Sequence, residues 1–164
     1  MRPGRQAAYV AVATLLSCSS AGGPEASGTC FPDGDGINGG SYVLELDVDD
    51  TGFVAAGPDA GAKEILATQN DAEVTLTLTN KGTRPHGFEV ECTSVLPAFP
   101  DVPSGCPTVA CFPAGSTIAP LAPGASATVT FVTPTADGLI YPFRSSAESD
   151  RGVPGLNDGQ WTLM

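Results

Sequence analysis

Apolar and polar residues alternate one for one over much of the chain from Tyr42 onward. Tyr42, Leu44, Leu46 and Val48 fall on one side of an extended segment, with Glu45, Asp47 and Asp49 on the other. Val74, Leu76 and Leu78 alternate with Thr75, Thr77 and Thr79 in the same way. So do Phe88, Val90 and Cys92 with Glu89 and Glu91, and Ala127, Val129 and Phe131 with Thr128 and Thr130. Leu139, Tyr141 and Phe143 share a face, Trp161 and Leu163 form a last run, and Glu64 to Thr68 is a weaker one. Successive strand side chains point to opposite faces, so this period predicts half-buried strands. Asn70-Asp71, Asn80-Lys81-Gly82, Pro123-Gly124, Asp137-Gly138 and Asn157-Asp158-Gly159 lie between the runs and supply turn residues. No stretch carries a helical period. Six or seven short strands, each with one apolar face, predict an all-β sandwich, because each sheet buries that face only against another.

The N-terminal residues depart from this pattern. Arg2 and Arg5 precede an uncharged apolar run from Ala7 to Leu16. That run is shorter than the about 20 residues a membrane span needs, and basic-then-apolar is the order of an export signal. Leu15-Leu16-Ser17-Cys18 then resembles the lipobox of bacterial lipoproteins. The resemblance implies cleavage before Cys18 and lipidation of Cys18; an ordinary signal cut near Ala21 or Ala26 is the alternative. Residues 1–17 are therefore expected to be a signal peptide, 18–40 a flexible Gly/Ser-rich tether, and 41–164 the folded domain. Through its lipid the protein would sit on a membrane of the cell envelope. Ser19 after the Cys, by resemblance to enterobacterial sorting rules, points to the outer membrane, with the domain facing the periplasm or the cell surface. Asp33-Gly-Asp35-Gly-Ile-Asn38-Gly has the look of a calcium loop, but Leu44 stands at the twelfth position where a Glu is needed. A Gly-rich turn is the reading kept.

Composition narrows the chemistry. A chain of 164 residues fits one domain. Seven Lys and Arg against 18 Asp and Glu give a net charge of −11, which repels phosphate backbones and excludes nucleic acid as a partner. A single His excludes multi-His metal sites. With Cys18 set aside, Cys30, Cys92, Cys106 and Cys111 remain, and an even number in an exported protein implies two disulfides. Three pairings are open. Cys92, Cys106 and Cys111 would staple a Pro-rich loop near 92–113, and their spacing is neither a redox CxxC nor a zinc pattern.

Three segments in order resemble the cupredoxin family of the plastocyanin and azurin type. Asp71 to Phe88, with Asn80, Pro85 and His86, is similar to the strand and turn that deliver the family's first copper-binding His. Ile118 to Phe131 resembles the strand before the ligand loop, and Gly138 to Leu163 the strand, ligand loop and last strand. The resemblance implies a Greek-key sandwich of about seven strands. It also implies a copper site at one end, and there the sequence departs. Ser145 occupies the position of the thiolate Cys, no His follows in Ser146 to Arg151, and Leu156 falls near the axial Met. Type 1 copper needs two imidazoles and a thiolate. No cofactor is therefore expected, and no enzyme.

The domain is expected to act as a binding or structural module, with a protein partner as one option. The alternative is a copper-binding or redox protein with a non-standard site on His86, helped by Glu148 or Asp150. A hydrolase built on Ser145, His86 and one of those carboxylates is a third and disfavoured reading, since nothing marks an oxyanion hole. Arg144 and Arg151 are expected to pair with Glu148 and Asp150. The loop from Cys92 to Cys111, with Phe99 and Phe112 beside it, is a candidate recognition surface or a cover for one end of the sandwich.

Overall fold

The computed structural model describes residues 39–56, 65–95, 105–136 and 138–164. The expected signal peptide, Cys18, the tether, Cys30, the Asp33–Asn38 turn and Phe99 lie outside the described residues. Within them the chain is all β. The strands are β1 (Ser41–Asp49), β2 (Gly52–Ala55), β3 (Ile65–Thr68), β4 (Glu73–Asn80), β5 (His86–Val90), β6 (Thr93–Ser94), β7 (Val109–Ala110), β8 (Ile118–Leu121), β9 (Ser126–Val132), β10 (Ile140–Arg144) and β11 (Gly159–Leu163). Two sheets pack face to face, in the orders β2-β1-β4-β9 and β3-β11-β10-β5-β8, and β6 pairs with β7 alone. Both large sheets are mixed, because β1 runs parallel to β4 and β3 parallel to β11. The fold is an all-β sandwich of two mixed sheets, the class the alternating pattern predicts.

The alternation explains the layers. Val74, Leu76 and Leu78 of β4 are fully buried. Their neighbours Thr75, Thr77 and Thr79 face outward and bond across to Thr130, Thr128 and Ser126 of β9 at 3.2, 2.9 and 2.8 Å. Threonine suits such a face, since its branched Cβ fits the pleat and its hydroxyl pairs with its cross-strand twin. Inside, Phe53, Phe88 and Phe143 make edge and tilted contacts at 5.3–6.0 Å. Phe112, Phe131, Tyr141 and Trp161 form a second aromatic group. Trp161 donates its indole N–H to Thr68 Oγ1 at 2.9 Å, which ties β11 to β3 through the core.

Eleven strands among the described residues exceed the expected seven or so. The additional ones are short. β8 contains Pro120, which interrupts an apolar pattern and cannot donate to a neighbour, and the edge of the sheet accommodates it. Cys92 is bonded to Cys111 with Cα atoms 4.3 Å apart, which selects one of the three possible pairings for these two residues. Cys106 is also disulfide-bonded. The bridge fixes the chain beside Phe112, whose ring lies 4.9 Å from both Tyr141 and Trp161. Phe112 is therefore a core residue and not part of a recognition surface.

Candidate functional site

At one end of the sandwich three connections meet: the β1–β2 turn, the β4–β5 turn and the β10–β11 loop. The first is shaped by Asp49, whose Oδ1 accepts from Thr51 N at 2.7 Å, Thr51 Oγ1 at 2.6 Å and Gly52 N at 3.1 Å. That tight turn leaves Asp50 directed at the second connection. There Asn80 organises the backbone: its side-chain amide donates to Arg84 O at 2.7 Å and Leu121 O at 2.8 Å, and its Oδ1 accepts from Gly82 N at 2.8 Å. A bend of this kind, closed by Asn-Lys-Gly, delivers His86 to the start of β5 with its side chain 0% exposed.

Both ring nitrogens of His86 meet carboxylates. Nδ1 lies 2.7 Å from Asp150 Oδ2, and Nε2 lies 2.9 Å from Asp50 Oδ1. Asp150 belongs to a short 3-10 turn at Glu148–Asp150 and is fully buried. Asn157 holds that turn in place by donating to Asp150 O and Val153 O at 2.7 and 2.8 Å. Ser145, just after β10, donates its hydroxyl to the same Asp150 Oδ2 and accepts from Gly87 N and Ala147 N, each at 3.2 Å. Asp50 also accepts from Thr83 N and from Thr83 Oγ1 at 2.6 Å, with Arg84 Nε at 3.5 Å. The Thr83 hydroxyl first, and His86 next, hold the Asp50 carboxyl well below the usual carboxylate range.

Two glycines let these parts approach. A Cβ on Gly82 would stand 2.7 Å from His86 Nε2 and 2.8 Å from Asp50 Oδ1, so the bare backbone packs over that hydrogen bond. A Cβ on Gly87 would overlap Ser146 Oγ.

Of the residues singled out from sequence, His86, Ser145 and Asp150 come together. Glu148 does not: its side chain is 77% exposed and pairs with Arg151 at 3.0 Å. Arg144 corrects another expectation, since it bonds Glu89 at 2.6 Å and Glu91 at 2.8 Å across the neighbouring strand instead of Glu148 or Asp150. Leu156 is fully buried and receives the Ser145 N–H on its carbonyl at 2.8 Å. Asp50 escaped the sequence reading. It lies 36 residues before His86, and its only local signal is the turn pattern Asp49-Asp50-Thr51-Gly52.

The donor set does not fit type 1 copper. The one imidazole in the chain has both nitrogens engaged by carboxylates. Where a thiolate is required there is a hydroxyl directed at Asp150, and the axial neighbour Leu156 has no donor side chain. Hard oxygen atoms do not supply the soft ligation that sets such a centre. Among the described residues no group of three or more His, Cys, Asp and Glu is arranged to hold a metal ion.

No protein-family model and no curated protein sequence matches the chain. Solved structures do. Dithionite-reduced auracyanin from Roseiflexus castenholzii is 16% identical with a TM-score of 0.47, over 75% of this chain and 96% of that one. Auracyanin A, a "blue" copper protein from Chloroflexus aurantiacus, is 18% identical with a TM-score of 0.46, over 76% and 99%. A blue copper oxidase from Nitrosomonas europaea is 16% identical with a TM-score of 0.44, over 77% of this chain and 39% of that one.

Proposed function

We propose that this protein is a lipid-anchored component of the cell envelope whose cupredoxin-like domain carries no type 1 copper and serves as a binding or structural module. The observation that carries the reading is the polar network itself. His86 and Ser145, at two of the positions that would ligate copper, both bond Asp150, and His86 also bonds Asp50. A protein that keeps the scaffold and fills its metal end with charge pairs has no electron to pass, because function resides in the site and not in the fold. The hydrolase reading loses its support for a geometric reason. Ser145 Oγ faces Asp150 and not a ring nitrogen, and His86 has no nitrogen left to take the hydroxyl proton.

The lipid anchor rests on Leu15-Leu16-Ser17-Cys18. A second reading, copper held loosely by His86 with a carboxylate, draws on one observation: Asp50 is 33% exposed and stands between solvent and Nε2. Copper titration of the purified protein with metal analysis and visible spectroscopy separates the two. The proposal expects no intense blue band and no stoichiometric copper; a tight one-to-one complex lost in His86→Ala overturns it. For the anchor, Cys18→Ala is expected to abolish acylation and membrane attachment, and unchanged membrane fractionation overturns that part.

A further inference from the structure

An imidazole donates from both nitrogens only when both carry protons. Here both nitrogens face carboxylate oxygens, one at 2.7 Å and the other at 2.9 Å, and the ring is fully buried. A neutral ring in this place would set a lone pair against a carboxylate on one side. Burial makes that conflict costly, since water does not reach the ring to relieve it. The charges around it also balance. Asp50 and Asp150 are the two anions in contact with the ring, and the Arg84 guanidinium lies 3.5 Å from Asp50. The hydroxyls of Ser145, Thr83 and Ser149 donate to these same carboxylates and carry no charge. Two carboxylates thus face one guanidinium, and a proton on each ring nitrogen would supply the second positive charge.

We infer that His86 carries a proton on each ring nitrogen, and that the Asp50–His86–Asp150 bridge is a cross-sheet staple standing where the family scaffold holds a metal. This deepens the metal-free reading proposed above and rests on it. The three residues come from different parts of the sandwich. Asp50 follows β1 in one sheet, His86 opens β5 in the other, and Asp150 lies in the loop between β10 and β11. A metal ion joins such connections through its ligand bonds; here one proton-bearing ring does so through two charge-assisted hydrogen bonds. The staple also bars metals. A cation needs a nitrogen lone pair, and it gains one only by expelling a proton and parting the ring from a carboxylate.

His86 is the only histidine in the chain, so its ring is unambiguous in a spectrum of the full protein. Long-range proton–nitrogen correlation at neutral pH is expected to show both ring nitrogens in the protonated state, unchanged on adding copper(II) alone. Asp50→Asn, at the more exposed carboxylate, is expected to leave the protein folded and to return the ring to a single neutral tautomer. His86→Gln, which strands two carboxylates, is expected to lower the unfolding midpoint by roughly 10 °C. A neutral ring in the unaltered protein overturns the staple and leaves the metal-free reading standing. Broadening of the ring signals at one equivalent of copper, with a tight complex, overturns both. If His86→Gln folds poorly, the ring's charge in the unaltered protein and in Asp50→Asn still decides.

Discussion

Asp50 shows how a single side chain couples the site to pH. Its carboxyl titrates below the ordinary 3.8 because Thr83 and His86 favour the ionised form. A folded-state value below the unfolded one means that the stabilisation is complete above about pH 4 and fades as the pH falls further. Acid unfolding followed by circular dichroism is expected to begin earlier for Thr83→Val, which removes the hydroxyl donor. Tyr141 acts at the other extreme. Burial pushes its phenol up to about 12, and its hydroxyl has no hydrogen-bond partner among the described residues. Ionisation is opposed in the folded state, so this contribution is present below the unfolded value of about 10 and is lost between about 10 and 12. Tyr141→Phe removes an unpaired buried polar atom and is expected to stabilise the protein by about 1 kcal/mol in urea unfolding. A loss of stability would show that the hydroxyl is satisfied. Gly82→Ala forces a methyl group onto the His86–Asp50 bond and is expected to cost about 1–3 kcal/mol by the same measurement.

At the scale of elements, the long strands were legible and the short ones were not. β1, β4, β9 and β10 carry enough alternating residues for the period to stand out, and the structure gives them the faces the pattern predicts. β6 and β7 have two residues each, too few for any period. His86, Ser145 and Asp150 were legible because the resemblance placed them; Asp50 was hidden, since a carboxylate in a turn looks the same whether it faces solvent or a buried ring. The pairing of Arg144 was likewise set by strand register, which places Arg144 opposite Glu89. The bridge from Cys92 to Cys111 closes a separation of 19 residues around β6 and β7. Loop-closure entropy predicts that such a bridge contributes about 3 kcal/mol. Replacing both cysteines by Ala is expected to lower stability by about that amount in urea unfolding, with the two sheets retained by far-ultraviolet circular dichroism. Cys106 keeps its own bridge in this variant, so the loss reports on the Cys92–Cys111 link alone.

For the whole molecule, the order of strands in space differs from their order in the chain. β11, the last strand, does not lie at an edge: it is inserted between β3 and β10. Its Trp161 is the largest fully buried side chain. The second sheet is thus missing a middle plank until residues 159–163 have left the ribosome. Synthesis can therefore run ahead of the closure of this sheet, because β3 and β10 lack the strand that joins them until it emerges. The sandwich would lock only when residues 159–163 slide in between these two neighbours.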